Sequence, residues 1–319
     1  MLSFAMQVKN ELARCNLKEH CCACSELRAF LQMNGSLIIG SNQTRIRLQT
    51  EIASVARKLF TLFKYCFVIT PEVSFYQQKR FQKKKVFLLQ VSGRREVLKI
   101  LQKLELITFR DSNPFPCIPP FLQEAGADGL SKQCCRRAYL RGAFLASGSL
   151  INPGKDYHLE IAVPYEDYAL EILKVMASFH LEARFYEKKE KYRVYLKGAE
   201  KIGELLRVME ASNALLKFEN IRVVKSVRNQ INRLVNCETA NLTRTVFASQ
   251  EQISNIKLIE KTLGLDNISP SLREVANLRL RFPEATLKEL GEEAIPPLSK
   301  SSVNHRLRRL NALARSIKK

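Results

Sequence analysis

The hydrophobic and polar positions of the chain follow the same order of patterns twice. Each round opens with a helical pattern that ends in Gly-Ser-Leu. The two copies, CCACSELRAFLQMNGSL at 21–37 and CCRRAYLRGAFLASGSL at 134–150, lie 113 residues apart and are identical at seven of seventeen positions. Chance would give about one identity, so the pattern indicates an internal duplication.

Each copy continues with the same predicted elements. Alternating apolar residues predict a half-buried strand, which is followed by a helical pattern, a Lys-rich hairpin and a Gly-led amphipathic helix. These segments are 44–50, 51–63, 75–89 and 93–104 in the first copy, and 156–163, 165–179, 185–196 and 198–209 in the second. The predicted order is therefore α-β-β-α-β-β-α, written twice, in an α+β fold.

The patterns also predict how the chain divides into domains. The duplicated domain covers 1–215, with halves at about 20–110 and 130–212. Between the halves lies a proline-rich crossover, 111–129, in which Pro114, Pro116, Pro119 and Pro120 are expected to exclude both a helix and ladder pairing.

A linker follows the duplicated domain. Segment 216–250 has apolar residues at helical spacing and predicts one or two linker helices. Its polar cluster forms either a solvated face or a contact surface for DNA or for the first domain. The cluster comprises Arg228, Asn229, Asn232, Arg233, Asn236 and Asn241.

The last part, 251–319, predicts three helices. Ser269 and Pro270 are typical of a helix start, and Thr286 with Glu289 forms the pattern of a capping box. In the third helix, 299–317, one stripe is apolar (Val303, Leu307, Leu310, Ala314) and the opposite side carries Ser301, His305, Arg308 and Ala312.

This arrangement predicts a helix-turn-helix with a basic outward face, and the alternative is a helical dimerisation hairpin. His305 is expected to contact a base or a phosphate. The predicted DNA-contacting residues are Thr286, Lys288, Ser299, Lys300, Ser301, Ser302, Asn304, His305, Arg306, Arg308 and Arg309.

Charge narrows the choice of partner. The chain has 52 Lys and Arg against 31 Asp and Glu, a formal net charge of +21, and 46% hydrophobic residues. Such a surplus in a globular chain favours double-stranded DNA through counterion release. No signal-peptide pattern or apolar run long enough for a bilayer is visible, so we expect a cytoplasmic, nucleoid-associated protein without a membrane partner.

Cysteines and glycine patterns in the sequence indicate whether the chain could bind a cofactor. The sequence contains nine cysteines and no phosphate-binding glycine pattern. An odd count in a cytoplasmic chain predicts reduced thiols rather than a disulfide framework. Cys21, Cys22 and Cys24 could join Cys134 and Cys135 around zinc, but no histidine has finger spacing, and we expect buried thiols at helix starts instead. The sequence predicts no metal and no nucleotide cofactor.

Over residues 20–210 the duplicated order resembles the LAGLIDADG homing endonuclease fold, in which two motif helices pack together and saddle-shaped sheets lie on DNA. In that family the eighth motif position of each copy carries a metal-binding carboxylate. Here Asn34 and Ser147 occupy these positions, and neither supplies the anionic oxygen that a catalytic cation requires. The resemblance therefore implies the scaffold without the nuclease reaction, and a residual metal-dependent nuclease remains the alternative.

The Lys-rich hairpins would lie where the resembling fold meets DNA. They could contact phosphates, or they could only protect sheet edges from pairing with other chains. The candidate phosphate contacts, including two from the linker, are Lys79, Arg80, Lys83, Lys84, Lys85, Lys188, Lys189, Arg228 and Arg233.

The combination of domains resembles the WhiA family of bacterial regulators. The segments that carry this resemblance are VRNQINRLVNCETANLTRT at 227–245, TLKELGE at 286–292 and SKSSVNHRLRRL at 299–310. The resemblance implies a non-enzymatic, sequence-specific DNA-binding regulator of transcription in cell division, chromosome segregation or sporulation, with other regulators as partners. A nucleoid-associated binder of low specificity is a further alternative.

Overall fold

The computed structural model describes residues 2–39, 43–77, 85–110, 113–117 and 130–318. Contacts divide the chain into two compact units, Met1–Lys225 and Ser226–Lys319. Each unit has a hydrophobic core of its own.

The first half of unit one shows the predicted order of elements. It begins with an additional short helix, α1 (Phe4–Leu12), whose Ser3 side chain accepts a hydrogen bond from the Met6 amide. The order that follows is α2 (His20–Asn34), β1 (Gly35–Ile39), β2 (Thr44–Thr50), α3 (Ala53–Phe67), β3 (Glu72–Gln77), β4 (Lys85–Ser92) and α4 (Arg94–Lys103).

After a short ladder of β5 (Thr108–Arg110) and β6 (Asn113–Cys117), the same order returns in the second half. The elements are α5 (Gln133–Ser147), β7 (Gly148–Leu150), β8 (His158–Val163), α6 (Glu166–Ala177), β9 (Arg184–Lys188), β10 (Lys191–Lys197) and α7 (Ala199–Val208). The predicted fold class and the duplicated order are therefore confirmed.

Each half builds one antiparallel sheet of four strands. The strand orders are β1-β2-β4-β3 and β7-β8-β10-β9, which match each other position by position. Leu48 pairs with Leu89 in the first sheet and Ile161 with Val194 in the second, and all four residues are buried. Because strand residues alternate between faces, one face of each sheet packs on the helices and the other faces outward.

The two motif helices, α2 and α5, pack tightly against each other. A Cβ added to Gly142 of α5 would overlap the carbonyl oxygen of Glu26 in α2 and would lie 3.1 Å from the Ala29 Cβ. Leu27, Phe30 and Phe144 fill the core around this crossing with at most 1% of their surface exposed. A glycine at position 142 therefore permits the backbones to approach closely.

Buried ion pairs join the halves around the same helix pair. Arg28 of α2 binds Glu171 of α6 at 2.9 Å and Glu105 at 2.8 Å. Arg141, the duplicate of Arg28, binds Glu26 at 3.1 Å and Glu210 at 3.2 Å. Both arginine side chains are only 6% exposed. Each arginine thus contacts a carboxylate of the opposite half and the glutamate that follows the last helix of its own half.

One expectation about the proline-rich crossover is wrong. Asn113–Cys117, which contains Pro114 and Pro116, pairs antiparallel with Thr108–Arg110, and the register shifts within the ladder. Proline is tolerated in a strand at the edge of a sheet or at a bulge, and in a ladder of two strands both are edges. The rest of 111–129, including Pro119 and Pro120, lies outside the described residues.

The linker region forms a single helix, α8 (Ser212–Thr262), within which the boundary between the units falls. Unit two continues with a short 3₁₀ turn at Leu265–Asn267 and three helices, α9 (Pro270–Arg281), α10 (Leu287–Glu292) and α11 (Lys300–Lys318). Among the described residues, no helix combines the length and the apolarity that crossing a membrane requires.

The close approach of α2 and α5 yields a first prediction. Gly142→Ala should lower the free energy of unfolding by about 1–3 kcal/mol, because the new methyl group must push a backbone carbonyl away. Chemical denaturation of the full chain measures this change.

Gly203→Ala is the matched control. Gly203 is also buried in a helix, α7, but its added Cβ would meet the terminal Glu219 Oε1 at 3.0 Å, which can turn away, and the Leu215 Cδ1 at 3.6 Å, an ordinary van der Waals contact. Helix propensity should then leave that variant as stable as the wild type or more so, by up to about 1 kcal/mol. Equal stability of the Gly142 variant and the wild type would contradict the close packing.

Candidate nucleic-acid interface

Helix α11 has one buried stripe and one exposed face. Val303, Leu307, Leu310 and Ala314 are at most 1% exposed and pack against α8, α9 and α10 residues such as Ile256. This is the stripe predicted from the sequence. The outward face carries exposed Lys300, Ser301, His305, Arg308, Arg309, Ala312 and Arg315.

The exposed face of α11 is strongly basic. The helix contains six Lys or Arg residues and no Asp or Glu. Within the described part of the chain, Lys300, His305, Arg308 and Arg309 form no hydrogen bond or ion pair with the protein. Their donors are therefore available to an external acceptor.

The N-terminus of α11 and the preceding helix are fixed by local hydrogen bonds. Thr286 caps α10: its hydroxyl accepts from the Glu289 amide at 3.3 Å, and its own amide donates to Glu289 Oε2 at 2.6 Å. The hydrogen bond that the Thr286 amide donates to the carboxylate is the largest cause that lowers the pKa of the Glu289 carboxyl. The Ser299 hydroxyl accepts from the Ser302 amide at 3.2 Å and so begins α11. The predicted capping box is confirmed.

Some of the predicted contact residues are engaged within unit two. Arg306 donates to Glu274 Oε2 at 2.9 Å and to the Ser271 carbonyl at 3.3 Å, so its guanidinium ties α11 to α9. Lys288 lies 3.6 Å from Glu292 in an exposed pair. Ser299 serves as a cap, and Ser302 and Asn304 are half-buried. Thr286, Ser299 and Arg306 therefore have structural roles in this structure.

Sequence reasoning missed a buried arginine that shapes the helix-turn-helix. Arg279 in α9 is 2% exposed, and its Nη1 donates to the carbonyl of Ala285 at 2.6 Å and to that of Pro283 at 3.4 Å. Burial lowers the pKa of this guanidinium. The arginine holds the turn that leads from α9 into α10, and its position among leucines, LRLRF at 278–282, was the available signal.

The outward face of the second sheet carries the hairpin candidates. Lys188 ends β9, opposite Lys191 of β10, and exposed Lys189 lies in the turn with φ +53°. Arg193 of the same face binds Glu160 at 3.1 Å. Burial by itself would raise the pKa of Glu160. Hydrogen bonds from His158 and Tyr186 outweigh this effect, so the pKa lies below its ordinary value.

The remaining basic candidates fall into three places. Lys85 begins β4 in the first sheet, with its ammonium group 5.7 Å from the centre of the Phe75 ring. Arg228 and Arg233 lie exposed on α8 in unit two. Lys79, Arg80, Lys83 and Lys84 lie outside the described residues.

The two positions that resemble catalytic carboxylates bond locally to the backbone. The Asn34 side chain donates to the Gln49 carbonyl at 2.6 Å, and the Ser147 hydroxyl donates to the Ala143 carbonyl at 3.4 Å. Asn34 ends α2 and Ser147 ends α5. Both side chains are neutral, so neither offers the anionic oxygen that a catalytic divalent cation prefers.

These features define a class of protein: a tandem LAGLIDADG-like unit joined to a helix-turn-helix. Family profiles agree in detail. Residues 20–107 match the WhiA N-terminal LAGLIDADG-like domain, 136–228 the WhiA LAGLIDADG-like domain and 231–314 the WhiA C-terminal HTH domain.

Full-length comparisons point to the same family. The chain is 44% identical to the probable cell division protein WhiA of Natranaerobius thermophilus over 316 residues, covering 99% of this chain and 96% of that protein. It is 43% identical to the Bacillus cytotoxicus protein of the same name, covering 99% and 98%. The crystal structure of full-length WhiA from Thermatoga maritima superposes with a TM-score of 0.56 at 26% identity, covering 99% of both chains. The chain belongs to the WhiA family.

Proposed function

We propose that this chain is a sequence-specific DNA-binding regulator in which α11 reads base edges in the major groove. The observation that supports this most is the basic face of α11, which the apolar stripe holds outward and on which Lys300, His305, Arg308 and Arg309 have no partner among the described residues. His305 and Arg308 are three residues apart and so lie side by side on that face. An unpaired guanidinium can donate two hydrogen bonds to a guanine.

The first unit would contribute affinity rather than specificity. Lys188 and Lys189 present charge at the tip of an outward-facing sheet, where phosphates of any sequence could bind. Exposed Arg228 and Arg233, which belong to unit two, would add contacts of the same kind. In this proposal the phosphate contacts position the protein on the duplex, and α11 selects the site.

The cellular role follows from the relatives. Several proteins of this family carry the name probable cell division protein, and the same role is proposed for this chain. A helix that binds specific DNA sequences would support this role by regulating transcription during cell division, chromosome segregation or sporulation. Protein partners would be other regulators of these processes, and a cytoplasmic, nucleoid-associated location would accompany them.

We further propose that the protein does not cleave DNA. Asn34 and Ser147 are held in local backbone hydrogen bonds and cannot supply negative charge to a metal ion. The LAGLIDADG-like unit would then act as a scaffold and a binding surface without chemistry.

The absence of cleavage is directly testable. Supercoiled plasmid incubated with the purified full-length chain and Mg²⁺ or Mn²⁺ should stay uncut on a gel, because the carboxylates that would position the cations are missing. An Asn34→Ala, Ser147→Ala double variant is the control for contaminating nuclease. Metal-dependent nicking by the wild type that this double variant loses would contradict the proposal.

Sequence readout can be tested at Arg308. On a site selected from random DNA by the wild-type chain, Arg308→Ala should cost about 1–3 kcal/mol of binding free energy, and much less on scrambled DNA. The cause is the loss of a base contact that only the selected site offers. Competition binding at fixed salt measures both losses.

Arg315→Ala is the matched control, because Arg315 is exposed on the same helix two turns away and its substitution removes the same charge, together with an exposed pair to Glu251 at 3.8 Å. Its effect should be small or equal on the two DNAs. Equal losses for Arg308→Ala on selected and scrambled DNA would show a phosphate contact instead. A wild-type chain that binds both DNAs equally would exclude a site-specific regulator.

A further inference from the structure

The duplication places a pair of adjacent cysteines in the first turn of each motif helix. Cys21 and Cys22 follow the first residue of α2, and Cys134 and Cys135 follow the first residue of α5. The packing of α2 against α5 brings the pairs together, and all four Sγ atoms lie within 4.8 Å of one another. Cys24, whose Sγ lies 3.6 Å from His20 Nδ1, is not a member of this group.

We propose that Cys21, Cys22, Cys134 and Cys135 form a tetrathiolate site for one structural zinc ion that joins the N-terminal ends of α2 and α5. The expectation from the sequence was that these thiols are only buried at helix starts. That expectation relied on ligand spacing along the chain, whereas the four ligands here come from two helices that are 113 residues apart.

The spacing of the sulfur atoms fits a single ion. Zinc–sulfur bonds of about 2.3 Å in a tetrahedron place the sulfur atoms about 3.8 Å apart. The Sγ atoms of the group already lie within 4.8 Å of one another, so small rotations of the side chains complete the site. An iron–sulfur cluster would need wider separations, because several metal and sulfide atoms lie between its thiolates.

The surroundings suit a negatively charged metal centre. Four thiolates and one Zn²⁺ carry a net charge of −2, and basic side chains line the cavities on both sides. Lys18, Arg137 and Arg141 outnumber the carboxylates Glu19 and Glu210 in the lining of a cavity of about 300 Å³ beside Cys22 and Cys134. Arg28, Lys103 and Lys132 likewise outnumber a single carboxylate, Glu105, in the lining of a second cavity of about 300 Å³ beside Cys21 and Cys135.

Both helix starts also favour negative charge. The residues that precede them, Glu19 and Lys132, make no side-chain capping hydrogen bond, so neither supplies a side-chain acceptor to the first amides. Thiolates in the first turn would meet the positive ends of two helix dipoles. Cys22 and Cys135 are buried, Cys21 is half-buried and Cys134 is exposed, which gives a metal ion a route from the surface to the site.

Cys134 and Cys237 supply a matched pair of variants, since both are exposed and only Cys134 belongs to the group. The full chain, purified under reducing conditions and reconstituted with zinc, should contain about one zinc ion per chain by mass spectrometry. Cys237→Ser should retain this zinc, and Cys134→Ser should retain less than about a tenth of it. Cobalt(II) in the wild type should give the visible absorption bands of a tetrahedral tetrathiolate.

Stability provides a second readout. A chelator should lower the melting temperature of the wild type and of Cys237→Ser to that of Cys134→Ser, and should leave Cys134→Ser unchanged. Circular dichroism checks that Cys134→Ser is folded, and Cys21→Ser is a second variant at the same site. Neither the zinc content nor the melting temperature depends on DNA binding. Failure of the zinc proposal is therefore distinguishable from failure of the proposed function.

Several results would overturn the proposal. These are an absence of zinc and cobalt after anaerobic reconstitution, equal zinc content in Cys134→Ser and Cys237→Ser, or iron with acid-labile sulfide in place of zinc. Disulfides between the two cysteine pairs in protein that was kept anaerobic would equally exclude a tetrathiolate site.

Discussion

The packing of α2 against α5 is the constraint on which the first unit depends. Two arginines that the duplication repeats, Arg28 and Arg141, are buried at this interface, and each needs carboxylates to offset the loss of hydration. Glu171 and Glu26 supply them from the opposite halves. Removal of either carboxylate alone would leave a buried, underpaired arginine, so these ion pairs couple the two halves.

The duplication also shows how the two copies diverged. Glu26 corresponds in the repeat to Tyr139, whose hydroxyl donates to Glu171 at 3.0 Å. Burial and the charge of Glu171 raise the pKa of this tyrosine. At this position of the repeat, Glu26 therefore binds the Arg141 cation in one copy, and Tyr139 donates a hydrogen bond to the Glu171 anion in the other. Glu105 and Glu210, by contrast, keep equivalent roles, and both have positive φ angles of 55° and 68°.

The ends of the motif helices have separate tasks in this account. At the C-terminal ends, Asn34 and Ser147 make local hydrogen bonds and leave the helices without catalytic charge. At the N-terminal ends, four cysteines meet and form the proposed metal site. The helix pair therefore serves to hold the two sheets together, and the proposed DNA-reading surface lies on α11, whose core is separate.

Patterns within single elements were predictable, and contacts between distant residues were not. The stripe of Val303, Leu307, Leu310 and Ala314 and the capping box at Thr286 follow from local spacing, and both are present in the structure. Arg306 and Arg308 differ by only two positions, yet Arg306 is held by Glu274, a partner that only the tertiary fold provides.

The prolines and cysteines show the same limit. Pro114 and Pro116 were expected to prevent pairing, but a ladder of two strands leaves edges where proline is tolerated. The cysteine pairs lacked the spacing of known metal motifs, and the packing of the two motif helices brings them together. The spacing of cysteines along the chain does not predict a metal site whose ligands come from two distant helices.

Genome-wide mapping of bound sites can test whether α11 provides sequence recognition and the sheet surface provides affinity. Cells would express the full chain, a His305→Ala, Arg308→Ala variant of α11, or a Lys188→Ala, Lys189→Ala variant of the hairpin. We expect the α11 variant to lose the wild-type sites and the hairpin variant to keep their positions with weaker occupancy. Sites that persist at the same positions in the α11 variant would contradict the assignment of sequence recognition to α11.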